Sequence, residues 1–344
     1  MERKRDFDVA VMIGRFQPFH KGHQALLKLA LETASRVIVV LGSSHQARNA
    51  KNPFTWEERM AMIAGTLAET TTGRISFAPV RDYYDDQLWS KAVNEVVSAG
   101  CNEKEKRVAL VGFQKDASSY YLTLFSGWSF VESPQYEKID ATSVRQIYFE
   151  GIVPESTHAL LSELVPAPIV AYLNGWVRLP YFAQMQKEHL AIENGKQKWG
   201  VGPFITVDAV VTVSNHVLLV RRGGLLGNGL WAIPGGFLEP RERLLQGAIR
   251  ELREETGLSM LNSSMEQSLK AVAVFDHADR SLRGRTITHA HWFDFGESRL
   301  PAVAGADDAI EAQWFPITDL PEIEENFFED HYSILRHFLL INEI

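Results

Sequence analysis

Gly236-Phe-Leu-Glu-Pro-Arg-Glu242 is followed, after seven intervening residues, by Arg250-Glu-Leu-Arg-Glu-Glu-Thr-Gly-Leu258. The spacing predicts a helix over Leu244–Thr256 stopped by Gly257, since glycine enters the left-handed C-terminal cap without strain. On that helix Glu251, Glu254 and Glu255 stand at i, i+3 and i+4, on one face within about one turn. Like charges placed so cost roughly 0.2–0.5 kcal/mol per pair unless a cation neutralises them. A hard divalent ion that prefers oxygen ligands, Mg²⁺ with Mn²⁺ as the alternative, would do so. A bare acidic helix face is usually just solvated. Here Gly235 and Gly236 let a strand reverse tightly into the helix, and Glu242 and Arg250 stand in register to hold the carboxylates.

Outward from this helix, Ile205–Val213, Val217–Arg221, Trp231–Ile233, Ala271–Phe275 and Thr286–Phe295 read as strands, giving a mixed sheet with helices. The opening stretch matches GX5EX7REUXEEXGU, with Leu252 and Leu258 at the aliphatic positions, and so resembles the Nudix box. A chance match in a chain of this length is below roughly one in a million. The resemblance implies metal-dependent hydrolysis of a nucleoside diphosphate linked to a second moiety, with Glu251, Glu254 and Glu255 as metal ligands. Arg280-Ser-Leu-Arg-Gly-Arg285 and the strand after it are similar to a segment of ADP-ribose-hydrolysing Nudix domains. Arg283 and Arg285, flanking Gly284, suit a phosphate-rich ligand; the plainer reading is a basic hairpin loop. The same resemblance places an additional acid before Trp314-Phe-Pro, and the general base stays open among Glu251, Asp307, Asp308 and Glu311.

The first half alternates strand-like and helical runs. Val9–Ile13, Arg36–Leu41, Ile75–Val80 and Val108–Val111 read as strands, and Gly22–Glu32, Thr55–Leu67, Leu88–Ser98 and Ser143–Phe149 as helices. That order predicts a doubly wound parallel sheet with its ligand at the carboxyl ends of the strands. Gly14-Arg-Phe-Gln-Pro-Phe-His20-Lys-Gly-His23 lies where the first strand ends and the first helix begins, the phosphate-binding corner of such a sheet. His20 and His23 can aim two imidazoles at one anion, although HxGH by itself arises by chance in roughly one such chain in fifty. The whole segment resembles the HxGH nucleotidyltransferase superfamily. Gly42-Ser-Ser with Lys51-Asn-Pro-Phe-Thr-Trp-Glu-Glu-Arg59, then Asp82-Tyr-Tyr-Asp-Asp-Gln-Leu-Trp89, then Ile139-Asp-Ala-Thr142-Ser143-Val-Arg145 are similar to archaeal-type nicotinamide mononucleotide adenylyltransferases. Lys51 departs from the arginine of that pattern, keeping charge but losing bidentate pairing. The resemblance implies transfer of the adenylyl group of ATP to nicotinamide mononucleotide. It makes His20, His23 and Arg145 catalytic, and Gly14, Arg15, Phe16, Lys51, Asn52, Arg59, Trp89, Thr142 and Ser143 substrate-binding. Trp89 is the residue expected to stack on nicotinamide; the simpler role for such an aromatic is core. Arg59 serves equally as a ligand or as one side of a structural ion pair. Arg145 opens a helix, where the dipole disfavours it unless an anion is bound.

The 344 residues suggest two domains. The boundaries fall at 1–183, a polar glycine-containing linker at 184–202, and 203–344. Apolar content of 45% with 23% charge describes folded material. Cys101 is the only cysteine, which excludes an internal disulfide framework or a cysteine–zinc site and fits a reducing cytoplasm. Apolar runs are too short to span a bilayer, and the opening residues lack a signal-peptide core. A net charge of −8 argues against a large nucleic-acid footprint. The partners expected are therefore ATP, nicotinamide mononucleotide and ADP-ribose, with no nucleic acid and no membrane; a homo-oligomer is compatible. The competing class is an NAD-responsive regulator, which the intact box and acidic charge disfavour. A second alternative keeps the architecture but changes the substrates, to another mononucleotide in one half and NADH or a sugar nucleotide in the other.

Overall fold

The computed structural model describes residues 5–102, 104–113, 121–134, 139–150, 154–339 and 341. The chain divides into two compact units, Met1–Gln186 and Lys187–Ile344.

The first unit runs β1 (Phe7–Gly14), α1 (Lys21–Thr33), β2 (Ala34–Leu41), α2 (Trp56–Ala64), α3 (Glu69–Thr72), β3 (Ile75–Pro79), α4 (Asp86–Gly100), β4 (Val108–Gly112), β5 (Ser129–Glu132), α5 (Ala141–Glu150), α6 (Pro154–Leu164) and α7 (Ala167–Trp176), with α8 (Pro180–Trp199) following. Its five strands are all parallel, in the order β3-β2-β1-β4-β5. The period of two divides each central strand between two cores. Ala10 and Met12 of β1 join Val37, Val39 and Leu41 of β2 in one cluster, with Leu27 and Ala30 of α1. Val9 and Val11 join Ile38 and Val40 on the other face, with Val93 and Val97 of α4. Burial on both faces explains the near-continuous apolar runs. Strand order reverses at β1, so its carboxyl end is the switch point where such sheets bind ligands. The short edge strand β5, with Ser129, Phe130 and Glu132 exposed, lacks the apolar alternation that would have marked it in sequence.

The second unit continues with β6 (Phe204–Val213), β7 (His216–Arg222), β8 (Trp231–Ala232), β9 (Gly235–Phe237), α9 (Leu244–Thr256), α10 (Asn262–Ser268), β10 (Leu269–Phe275), β11 (Thr286–Asp294), β12 (Ala309–Pro316), a 3₁₀ segment at Ile317–Asn326 and α11 (His331–Leu339). The mixed sheet has the path β10-β11-β6-β7-β12, with β8 on β7 and β9 on β6. Strand β6 runs parallel to β11 and antiparallel to β7 and β9. One face carries Val207, Ala209 and Val211 against Ala248, Ile249 and Leu252 of α9. The other carries Val210, Val217 and Leu219 against Ile334, Leu335 and Phe338 of α11. Helix α9 covers Leu244–Thr256 and ends at Gly257 with φ 62°, the left-handed cap that its sequence predicts. Strands β9 and β12 were not expected, since Gly-Gly-Phe carries no strand pattern and β12 is mostly half-buried.

The stretch 184–202, expected as a linker, is largely the helix α8, and the two units divide within it. Its Gln, Lys, Glu, Leu and Ala residues are good helix formers. Gly200 and Gly202, at φ 78° and 92°, follow its end. Among the described residues no helix is long and apolar enough to cross a membrane.

Candidate active sites

The first site begins with how α1 is capped. The His20 ring accepts from the His23 N–H through Nδ1, and the His23 ring accepts from the His20 N–H through its own Nδ1, both at 3.3 Å. Each neutral ring must then carry its hydrogen on Nε2. The rings stack 3.5 Å apart between centroids, and Phe16 and Phe19 pack against His23. Burial, and then the neighbouring His20, hold the His23 pKa well below the ordinary histidine range, so the ring is neutral at pH 7. A Cβ at Gly22 would lie 3.1 Å from the His20 ring, tight enough to disturb the pair.

Arginines surround this corner. Arg145, one turn into α5, donates to the Gln17 carbonyl at 2.8 Å and to Thr142 Oγ1 at 3.1 Å. Burial lowers its pKa, and the nearby charge of Arg15 lowers it further. Arg15 is exposed, while Phe16 is buried at φ 50°. Two like charges and a helix N-terminus facing one corner make a site for an anion. Ser143 caps back onto Asp140 through N–H and Oγ, at 2.9 and 3.0 Å. Gly14 ends β1, and its carbonyl accepts from Gly42 N–H at 3.0 Å.

Arg59 has a different part. It is fully buried, and all five of its N–H donors are committed: Nε to Thr55 O, Nη1 to Arg15 O and Gly42 O, Nη2 to Ser43 O and Ser44 Oγ. No donor is left for a substrate, so the direct contact expected of it gives way to shaping the two loops. Burial lowers its pKa to about 10. Gln17 adds a second tie, donating to Phe54 O at 2.9 Å and accepting from Phe54 N–H at 3.0 Å. In the loop so held, the N–H groups of Lys51 and Asn52 donate to Asn49 Oδ1. The buried Asn52 Oδ1 has no partner among the described residues, as expected of an acceptor waiting for a ligand donor. Trp89 stands half-buried in the first turn of α4, edge-on to Tyr121 and Phe125 at 5.8 Å. It packs on the margin of the core rather than within it.

In the second unit Arg250 organises the carboxylates. It grips Glu242 with Nε and Nη2, both at 3.0 Å, donates from Nη1 to Glu251 and Glu254, both at 2.8 Å, and reaches Phe237 O at 3.2 Å. This pairing lowers the Glu242 pKa and raises that of Arg250. Glu255 is 6% exposed and accepts from Gly235 N–H at 3.0 Å. Burial pushes its pKa up to about 8 and also raises that of Glu251. The glycine pair is steric: a Cβ on Gly236 would sit 2.5 Å from Glu251 Oε1, and one on Gly235 would sit 2.3 Å from Asp208 Oδ1.

As the side chains stand, no three acidic, imidazole or thiol groups among the described residues close on one metal point. Arg250 occupies Glu251 and Glu254 instead. The donor set nonetheless fits a hard divalent cation. Three carboxylates share one helix face, and Glu255 is buried with one hydrogen bond among the described residues and a raised pKa, so a cation beside it would offset the cost of its burial.

Arg283 donates to Ser281 Oγ and Glu329 Oε2, both at 3.2 Å, and lies 5.4 Å from the Phe237 ring and 5.7 Å from that of Phe328. Arg285 instead bonds the Asp276 carbonyl and stands 3.8 Å from the Asp276 carboxylate. Of the candidate acids, Glu311 pairs with Arg221 at 3.6 Å, Asp307 is exposed at φ 53°, and Asp308 accepts Gly223 N–H through its carbonyl at 2.8 Å. The structure adds residues that sequence reading passed over. Asp208, buried on β6 and accepting from Thr288, was detectable as a lone charge inside an apolar strand. Arg222 packs 4.1 Å over Phe328 and is close enough to Glu255 to oppose its raised pKa. Glu329 and Asp330 carried no local signal, because their partners lie about fifty residues away.

Residues 11–147 match the Cytidylyltransferase-like family, and residues 202–338 match the NUDIX domain family. The nicotinamide/nicotinic acid mononucleotide adenylyltransferase of Acinetobacter baylyi is 38% identical over 186 residues, 54% of this chain and 95% of that protein. The ADP-ribose pyrophosphatase of Methanocaldococcus jannaschii is 31% identical over 137 residues, 40% of this chain and 73% of that protein. Two crystal structures of a bifunctional NMN adenylyltransferase/ADP ribose pyrophosphatase from Francisella tularensis superpose with a TM-score of 0.88 at 33% identity, covering 97% of this chain and 99% of theirs. One of the two is complexed with AMP and a Mn ion.

Proposed function

This chain belongs to the family of bifunctional NMN adenylyltransferase/ADP-ribose pyrophosphatases, and from that premise we propose that its first unit makes NAD and its second hydrolyses ADP-ribose. What carries the reading is the presence, on one chain, of a mutually capped histidine pair beside Arg15 and Arg145 and of a carboxylate face organised by Arg250.

In the first unit a phosphate oxygen of nicotinamide mononucleotide attacks the α-phosphorus of ATP. The new P–O bond forms as the bond to the bridging oxygen breaks, and pyrophosphate leaves with the electron pair. Charge builds on the oxygens of the α-phosphate, where His20 and His23 donate from Nε2 and Arg15 and Arg145 add positive charge. Because both rings are already fixed by their caps, these donors need no rearrangement when the charge appears. Thr142, Ser143, Lys51 and Asn52 hold the nucleotides, with Gly14 and Phe16 shaping the corner, and Trp89 stacks on the nicotinamide ring.

In the second unit Glu251, Glu254 and Glu255 would hold a divalent cation, Mg²⁺ or Mn²⁺, which lowers the pKa of bound water and neutralises charge on the diphosphate. Water oxygen joins one phosphorus, the P–O–P bond breaks, and AMP and ribose 5-phosphate part. Glu251 is the base assigned to take the proton. Arg283 and Arg222 face the phosphates, and Arg285 borders the same loop. Both reactions use soluble nucleotides, and we place the enzyme in the cytoplasm. The test is a product assay on the full chain with ATP, nicotinamide mononucleotide and Mg²⁺, and separately with ADP-ribose. NAD in the first and AMP in the second are the expected products; the absence of either removes the corresponding half of the proposal.

A further inference from the structure

The loop that carries Arg283 is gripped by the two residues that precede α11. Arg280 and Asp330 form a buried bidentate pair, Nε to Oδ2 and Nη2 to Oδ1, both at 2.8 Å. Beside it, Glu329 accepts from Ser281 Oγ at 2.7 Å, Leu282 N–H at 3.4 Å and Arg283 Nη2 at 3.2 Å. Glu329 does this at φ 46°, a conformation strained for any residue with a side chain and kept only where its surroundings impose it. The segment is tied on its other side as well. Phe328 N–H donates to Trp231 O at 2.9 Å, and His331 Nδ1 accepts from Ile233 N–H at 2.9 Å. One short segment is thus stitched both to the arginine loop and to the strand leading into Gly235 and Gly236.

Arg283 and Arg222 lie close enough to repel, each packed against the Phe328 ring. Glu329 lies close enough to both to act as their counter-charge. Glu329 supplies that charge from one side and leaves the opposite edge of Arg283 over Phe237, which is half-exposed and lies within the segment leading to the carboxylate helix. We propose that Glu329 is a positioning residue for the second unit's reaction: it fixes the Arg283 guanidinium for the diphosphate of the substrate, and the Arg280–Asp330 pair fixes Glu329. This rests on the reading of the unit as an ADP-ribose hydrolase.

Glu329→Gln keeps the size and one acceptor but removes the charge. Assayed on the full chain with ADP-ribose and Mn²⁺, it is expected to raise KM about tenfold and leave kcat within about twofold, the scale of one charge-assisted hydrogen bond. NAD synthesis and the melting temperature should not move. Glu329→Asp, which retains the charge, should recover part of the affinity. Arg283→Ala should itself raise KM at least as much, and adding Glu329→Gln to it should change nothing further, because the glutamate acts through the arginine. Additive effects in the double variant, an unchanged KM in Arg283→Ala, or a lower melting temperature with normal kinetics in Glu329→Gln would each overturn the assignment. A wild-type enzyme that released no AMP from ADP-ribose would instead overturn the hydrolase reading, and this inference with it.

Discussion

Glu255→Gln should make the metal-free protein more stable while abolishing hydrolysis. Glu255 is 6% exposed, and burial raises its pKa from the ordinary 4.5 to about 8. The sign follows from the protons bound. Between pH 4.5 and 8 the folded chain holds a proton here that the unfolded chain has released, so stability falls as pH rises through that window and is level above it. At about 1.4 kcal/mol per pH unit, the loss accumulated by pH 7 is about 3 kcal/mol. Glutamine has nearly the same shape, carries no charge to bury, and can still accept from Gly235 N–H. In chelator at pH 7 the Gln variant is therefore expected to exceed wild type by about 3 kcal/mol, with the two converging near pH 4.5. Mn²⁺ at a thousand times its Kd should reverse the order, since such a ligand stabilises by about 4.1 kcal/mol and the variant has lost a carboxylate ligand. Calorimetry on the full chain reads this directly, the second unit's transition being the one that moves when wild type receives Mn²⁺. Equal stability of the two proteins in chelator across pH 5–8 would refute the claim that Glu255 is buried without sufficient compensation.

Other outcomes can be checked separately. His23→Ala should lower kcat for NAD synthesis by roughly 10²-fold, the usual loss for a fixed donor to transition-state charge, with ADP-ribose hydrolysis unaffected; normal NAD synthesis in the folded variant would refute the role. Trp89→Ala should weaken nicotinamide mononucleotide binding by about 1–3 kcal/mol, as for bases stacked on aromatics, and ATP binding less; equal losses for both would make Trp89 plain core. Arg59→Lys offers fewer donors than the five now engaged, so at least two acceptors go unmet at about 1–3 kcal/mol each. The first unit should melt earlier by calorimetry while hydrolysis survives. A fragment of residues 187–344 keeps the Gly227 N–H to Glu188 bond at 3.2 Å and should hydrolyse ADP-ribose alone; one starting at Gly200 loses that bond and should melt lower in a thermal scan.

What could be read from sequence follows the range of the forces involved. Helix α9, its glycine cap and its acidic face come from contacts within one or two turns, and spacing alone predicts them. The central strands β1, β2 and β4 were legible because burial on both faces leaves unbroken apolar runs. Strand β9 was not, because Gly235 and Gly236 are chosen to clear Asp208 and Glu251 rather than to favour extended backbone. Arg59 looked as much like a ligand as a scaffold, and only the fold shows its donors turned onto the carbonyls of Arg15, Gly42 and Ser43. The clamp of Glu329 and Asp330 on Ser281, Arg283 and Arg280 spans about fifty residues and has no local pattern at all.

The two units meet opposite electrostatic problems, and each accepts a local destabilisation that only its substrate or metal removes. Around β1 the chain gathers Arg15, Arg145 and a helix N-terminus, with Asp140 as a nearby carboxylate, and a phosphate there would offset the remaining positive charge. Around α9 it gathers Glu251, Glu254 and Glu255 and spreads Arg250 across two of them as a substitute cation. Among the described residues Arg250 does not bond Glu255, which accepts instead from the N–H of Gly235. The raised pKa of Glu255 marks the part of the carboxylate face that Arg222 only partly offsets, which is where a bound cation has most to gain. Filling that gap from within the protein, with a lysine near Glu255, would stabilise the fold and weaken the metal together.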